Sequence, residues 1–117
     1  MNIDEKLKKS EQLFNDSLFL EAENAVSNVL LEHPECVDAL NLKGVIMDTL
    51  KDSNGAIASF DKALKSKRGD GTSIKNHLDI YLRDGCVLDF LKIYRNHRFF
   101  LPPDEGIVYD DVINEIE

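Results

Sequence analysis

Residues 55–64, GAIASFDKAL, set Ala56, Ala58 and Ala63 among Ile57, Phe60 and Leu64 on one segment of helical period. A helix in an ordinary bundle fills its buried face with large side chains. Alanine on that face predicts a neighbouring backbone that comes very close. The reading therefore turns on which neighbour this is, and on whether the small residues recur.

They recur. Laid over itself at an offset of 34 residues, the chain aligns Asp4 with Asp38, Lys9 with Lys43, Ser10 with Gly44 and Leu13 with Met47. The same offset aligns Ala22 with Ala56, Val26 with Phe60, Val29 with Ala63 and Leu30 with Leu64. A second shift brings Met47 to Tyr81, Phe60 to Tyr94, and Pro34 to Pro102 by way of Arg68. The glycine expected in a tight turn stands in the third copy as Gly85, where Ser17 and Lys51 stand in the first two.

Working outward, apolar residues at i, i+3, i+4 spacing predict helices over 3–15 and 19–32, then about 35–50 and 54–66. Asn2 is a candidate cap for the first, and Asp52 or Ser53 for the fourth. Pro34 precedes the third, where a missing N–H costs least. KSKRGDGTS breaks the pattern, with Asp70 or Thr72 able to cap a fifth helix to about residue 82; a sixth follows over about 86–99. PPDEG turns the chain, and 104–117 repeats apolar residues (Tyr109, Val112, Ile113, Ile116) against Asp110, Asp111, Glu115 and Glu117. That segment reads either as a helix capping the stack or as an acidic tail. No strand-like alternation occurs, and short loops predict antiparallel hairpins.

This pattern resembles the tetratricopeptide repeat, a 34-residue helix–turn–helix with small residues at set places and a terminal proline. The resemblance covers residues 3 to about 102, with copies at about 3–36, 37–70 and a divergent 71–102. It rests best on Leu40, Gly44, Ala56, Phe60, Ala63 and Leu64, and on Leu13, Phe19, Ala22, Leu30 and Pro34. It implies an all-α single domain over 1–117: a right-handed superhelix of antiparallel hairpins. Gly44 and Ala56 would let the two helices of a hairpin approach closely, and Ala63 would make room for the helix that follows. A closed helical bundle is the alternative, but it has no reason to repeat small residues at a fixed offset. In the third copy the small places hold Leu78, Phe90 and His97. That predicts a splayed or otherwise altered hairpin.

The resemblance further implies that the first helix of each hairpin lines a concave, ligand-binding side. The groove-facing places fall on Asp4, Leu7, Glu11 and Phe14, then on Asp38, Asn41, Val45 and Asp48. In the third copy they fall on Thr72, Lys75, Asp79 and Leu82. Such a strip is mostly acidic with apolar gaps, and it would match a basic, partly apolar peptide or helix of a partner protein. The plainer alternative is a solvated face. One subclass of the family clamps acidic chaperone tails through Lys, Asn and Arg. The matching places here hold Leu7, Glu11, Leu42, Thr72 and Asn76, which do not make that clamp. The expected function is a non-catalytic interaction module. The alternatives are a small chaperone of the same type for a secreted or assembling partner, or a self-associating structural protein and hence a homodimer.

Composition narrows the field further. A net charge of −8 over 117 residues argues against a phosphate backbone as partner. The charged start, MNIDEKLKKSEQ, is no signal peptide, and no apolar run reaches the roughly 20 residues of a membrane span. Cys36 and Cys86 show no CxxC spacing and read as reduced thiols, so a cytoplasmic protein is the expectation. His33, His77 and His97 are scattered without the further ligands a zinc site needs. No GxSxG, GxxxxGK[ST] or GxGxxG occurs, so no cofactor and no enzymatic activity is expected. KSKR (65–68) with Arg95 and Arg98 reads as a basic patch or as solvated helix ends. FFLPP (99–103) reads as a cover over the end of the core or as an exposed docking patch.

Overall fold

A computed structural model describes residues 2–100. Six α-helices follow one another: α1 (Ile3–Asn15), α2 (Phe19–Glu32), α3 (Val37–Thr49), α4 (Ser53–Ser66), α5 (Gly71–Arg83) and α6 (Val87–His97). A short 3₁₀ turn, Arg98–Phe100, follows α6, and no strand occurs among the described residues. The expected capping helix or tail at 104–117 lies outside the described residues. The chain divides into two compact units, Met1–Arg68 and Gly69–Glu117, each described by itself below.

Three helices begin where an acidic or amide side chain replaces the missing turn. The Asn2 carboxamide oxygen accepts from Glu5 N at 2.9 Å, Asp52 Oδ1 from Gly55 N at 2.9 Å, and Asp70 Oδ2 from Ser73 N at 3.0 Å. Of the alternatives open in the sequence, the cap is thus Asp52 for α4 and Asp70 for α5. Pro34 sits in the turn before α3, where Cys36 N donates to His33 O at 3.1 Å.

The turns inside the three hairpins share one backbone geometry at the 34-residue interval. Ser17, Lys51 and Gly85 all take left-handed φ, at 64°, 70° and 75°. In each turn the next residue's N–H reaches back five residues: Leu18 to Leu13 O (2.9 Å), Asp52 to Met47 O (2.8 Å) and Cys86 to Tyr81 O (2.8 Å). This is the Schellman closure, which satisfies helix C-terminal carbonyls and reverses the chain. Glycine adopts that φ freely, whereas serine and lysine do so at a cost. The third turn therefore matches the others, although residues on its flanking helices depart from the pattern.

In the first unit, α1 pairs with α2 and α3 with α4, while α2 also packs on α3 and α1 touches α3. Enclosed this way, α3 buries residues around much of its circumference, and Ala39, Leu40, Asn41, Gly44 and Ile46 are all buried, while Asp38 stays exposed. Leu7, Ala22, Val26, Val29, Ala39 and Ile46 form one core cluster, with Ile3, Leu13, Phe14, Leu30, Cys36, Leu42 and Leu50 packed on it. Each fully buried Val or Ile contributes about 1.5–3 kcal/mol relative to its exposed state.

The small residues act through a side chain as well as through the backbone. The sequence predicts that Gly44 admits the backbone of the α4 helix beside Ala56. What occupies the space is the ring of Phe60: a Cβ at Gly44 would lie 2.6 Å from Phe60 Cζ and 2.8 Å from its Cδ1. Phe60 is buried, as are Ala56 and Ala63. The α3–α4 hairpin makes the most extensive contact among the described helices. A bulky ring laid in the notch of a glycine explains how alanines and an aromatic share one buried face.

The second unit pairs α5 with α6 in a hairpin of less extensive contact. Ile74, Leu78, Ile80, Phe90 and Tyr94 are buried, and the Phe90 and Tyr94 rings lie parallel with centroids 6.1 Å apart. Leu78 and Phe90 thus keep the buried status of their small counterparts despite their size. Phe100 rests its ring on Gly69, whose φ is +80° and whose missing Cβ would lie 2.5–2.8 Å from that ring. Both phenylalanines depart from the reading that they cover the core: Phe99 is 89% and Phe100 49% exposed.

Candidate functional site

The positions read from the sequence as partner-facing share one side of their helices, because residues at i, i+3, i+7 and i+10 return to nearly the same angle at 3.6 residues per turn. On α1 this side carries Asp4, Leu7, Glu11 and Phe14, and on α3 it carries Asp38, Asn41, Val45 and Asp48. Both helices belong to the first unit and touch each other, so the two strips are parts of one body.

Burial sorts these eight residues. Asp4, Glu11 and Asp38 are exposed, and Val45 and Asp48 are half-buried. Leu7 is 8% exposed and belongs to the core cluster, while Asn41 is 7% exposed. Phe14 is half-buried, with its ring 5.4 Å from that of Phe19. The apolar gaps anticipated at Leu7 and Phe14 are therefore largely filled from within, because both residues sit at the edge of the apolar stripe that packs on α2 and α3. What faces water is a set of carboxylates with Val45 beside them. Among the described residues, Asp4, Glu11 and Asp38 hold no ion pair.

The corresponding side of α5 belongs to the second unit. There Thr72, Lys75 and Asp79 are exposed, and Leu82 is 40% exposed.

A Ser–His–Asp set lies on α5 and its cap, and its geometry identifies its role. The Ser73 hydroxyl donates to Asp70 Oδ2 at 2.7 Å, and the Ser73 N–H donates to the same oxygen. The His77 Nδ1 lies 3.0 Å from the Ser73 carbonyl oxygen. In a nucleophilic triad the hydroxyl is hydrogen-bonded to the imidazole. Here the hydroxyl is turned to the carboxylate and the ring to the backbone, and all three residues are buried. The arrangement is a helix cap reinforced by its own first turn.

One ion pair bridges α1 and α2. The Lys6 ammonium donates to both oxygens of Glu32, at 2.9 and 3.0 Å. The hydrogen bond from Lys6, reinforced by its charge, lowers the Glu32 carboxyl below the usual carboxylate range. Among the described residues, no group of three or more His, Cys, Asp or Glu could hold a metal ion. No helix there is long and apolar enough to cross a membrane. Cys36 and Cys86 are free, half-buried thiols that occupy the N-cap positions of α3 and α6.

Sequence reasoning misses one feature, a cavity of about 300 Å³ beside α3 and α4 in the first unit. Leu40, Met47, Gly55 and Ala58 contribute to its apolar floor, and Lys43 and Lys62 supply its charge. These residues come from separate helices, so only the folded chain brings them together.

No protein-family model and no curated protein matches the chain.

Proposed function

We propose that the chain is a non-catalytic adaptor of tetratricopeptide type that holds a basic, partly apolar segment of a partner protein against the outward side of α1 and α3. The right-handed superhelix implied by the repeat belongs to the same proposal. The observation that supports it is the row of exposed carboxylates at Asp4, Glu11 and Asp38 with no ion pair among the described residues. Carboxylates left unpaired beside Val45 favour a cationic ligand with some apolar surface. Charge of this kind sets encounter rate and register more than affinity.

The test is selection of a displayed random-peptide library on the full chain. The expected result is a class of peptides rich in Lys or Arg with apolar residues between them. That class should bind the Asp4→Lys/Asp38→Lys variant at least about tenfold more weakly and should weaken with added salt. Basic peptides that bind wild type and variant equally would remove this face from the reading.

Self-association is the second reading, favoured by the exposure of Leu88 (83%) and Phe99 (89%) in the second unit. Light scattering separates the two. A concentration-independent monomer fits the adaptor, whereas a dimer that Leu88→Glu/Phe99→Glu dissolves fits self-association.

A further inference from the structure

The cavity beside α3 and α4 is a second candidate surface. Residues advance by about 100° along a helix, which places Leu40, Lys43 and Met47 on the side of α3 roughly opposite Asp38, Asn41, Val45 and Asp48. The cavity is therefore separate from the acidic strip and does not depend on it.

Its floor is apolar, and the missing Cβ of Gly55 makes room there for the Met47 side chain. A Cβ at Gly55 would collide with the Met47 methyl and would come within 2.5 Å of Asp52 Oδ2. The polar group at the floor is already satisfied: the Ser59 hydroxyl donates to Gly55 O at 3.1 Å. Ala58 is exposed within the groove, and Met47 is half-buried and adaptable. About 300 Å³ lies at the lower end of the range for ligand pockets, enough for one or two apolar side chains.

The charge is the informative part. In a chain of net charge −8, both charged residues lining this cavity are lysines, Lys43 and Lys62. Among the described residues neither holds an ion pair. An apolar floor between two unpaired ammonium groups complements an apolar side chain flanked by carboxylates.

We propose that this groove docks a short acidic segment of a partner protein, with one or two Leu, Ile or Phe side chains on the floor and carboxylates on Lys43 and Lys62. A chain that also binds a basic segment on its acidic side would join two partners of opposite charge through opposite faces of α3.

The same peptide selection tests this independently. The expected result is a second enriched class that combines Asp or Glu with Leu, Ile or Phe. Synthetic peptides of that class should bind Lys43→Glu/Lys62→Glu at least about tenfold more weakly, and Ala58→Trp should also displace them. Their binding to Asp4→Lys/Asp38→Lys should be unchanged, so each face fails or stands on its own variants. Lys43→Gln/Lys62→Gln, which keeps the chain lengths similar, gives the same reading if the charge reversal perturbs the fold. Absence of an acidic class, or acidic peptides that ignore the lysine variants, overturns the proposal. Concentration-dependent dimers that Lys43→Glu/Lys62→Glu dissolves would assign the groove to a second copy of this chain, and they overturn it equally.

Discussion

Replacing Gly44 with alanine adds one methyl group where the ring of Phe60 already lies. A Cβ there would stand 2.6 Å from Cζ and 2.8 Å from Cδ1. Ordinary carbon contacts begin near 3.5 Å, so the ring must retreat by about 1 Å. Phe60 is 1% exposed and has little room to yield. Overpacking of this kind costs about 1–3 kcal/mol. Against it stands the helix propensity of alanine over glycine, about 1 kcal/mol at a mid-helix position. The net expectation is a loss of about 1 kcal/mol for Gly44→Ala in the wild-type background. Phe60→Val opens the site, at about 3 kcal/mol for the cavity it leaves. In that background the alanine methyl meets empty space, so Gly44→Ala should stabilise by about 1 kcal/mol. The sign reverses, and the coupling is about 2 kcal/mol, as expected for residues in direct contact. Urea unfolding followed by far-UV circular dichroism measures all four corners of the cycle. If Gly44→Ala stabilises both backgrounds alike, the ring does not fill the notch and the packing argument fails.

Two further outcomes follow from the turns and the ion pair. Ser17→Gly and Lys51→Gly should each stabilise by about 0.5–1 kcal/mol because they remove left-handed strain, while Gly85→Ala should destabilise by a similar amount. Urea midpoints at constant slope check all three. For Glu32, the folded carboxyl is lowered below its unfolded value by Lys6, so its contribution is present above the unfolded pKa and is lost as pH falls through the folded one. Wild type should therefore lose more stability than Glu32→Gln as pH falls from about 5 towards 3, around and below the ordinary carboxylate value of about 4.3. Parallel acid-side slopes would mean that the pair contributes nothing in solution.

The helices were legible because period and cap agree locally. Asn2, Asp52 and Asp70 each open a helix where the apolar spacing begins, and observed ends lie within about two residues of those read from the sequence. Ser17 and Lys51 were legible as turn residues only through the 34-residue offset from Gly85, since neither residue type favours left-handed φ. Packing partners were not legible. Spacing marks Gly44 as small but cannot say that a ring from the facing helix fills it. Nor does spacing place the edge of an apolar stripe, which is why Leu7 and Phe14 read as open groove and prove to be largely internal. The lysine-flanked cavity was not legible either: its residues keep helical spacing on α3 and on α4, but spacing within each helix does not show that the two rows line one cavity.

Hairpin closure and hairpin spacing are separable in this chain. All three turns close with the same left-handed residue and the same five-residue back-bond, so the turn alone dictates that each helix pair runs antiparallel. What varies is the volume at two equivalent buried places sixteen residues apart: Ser10 with Val26, Gly44 with Phe60, and Leu78 with Tyr94. The first pair is small with medium and the second is smallest with large, which keeps the combined volume moderate. The third pair is large with large. Helix axes stand apart by 8–10 Å according to the side chains between them. A hairpin that must bury both Leu78 and Tyr94 therefore needs more room than one built around Gly44, in keeping with the less extensive contact of α5 with α6. On this argument the departure of the third copy lies in its facing side chains, while its turn still obeys the repeat.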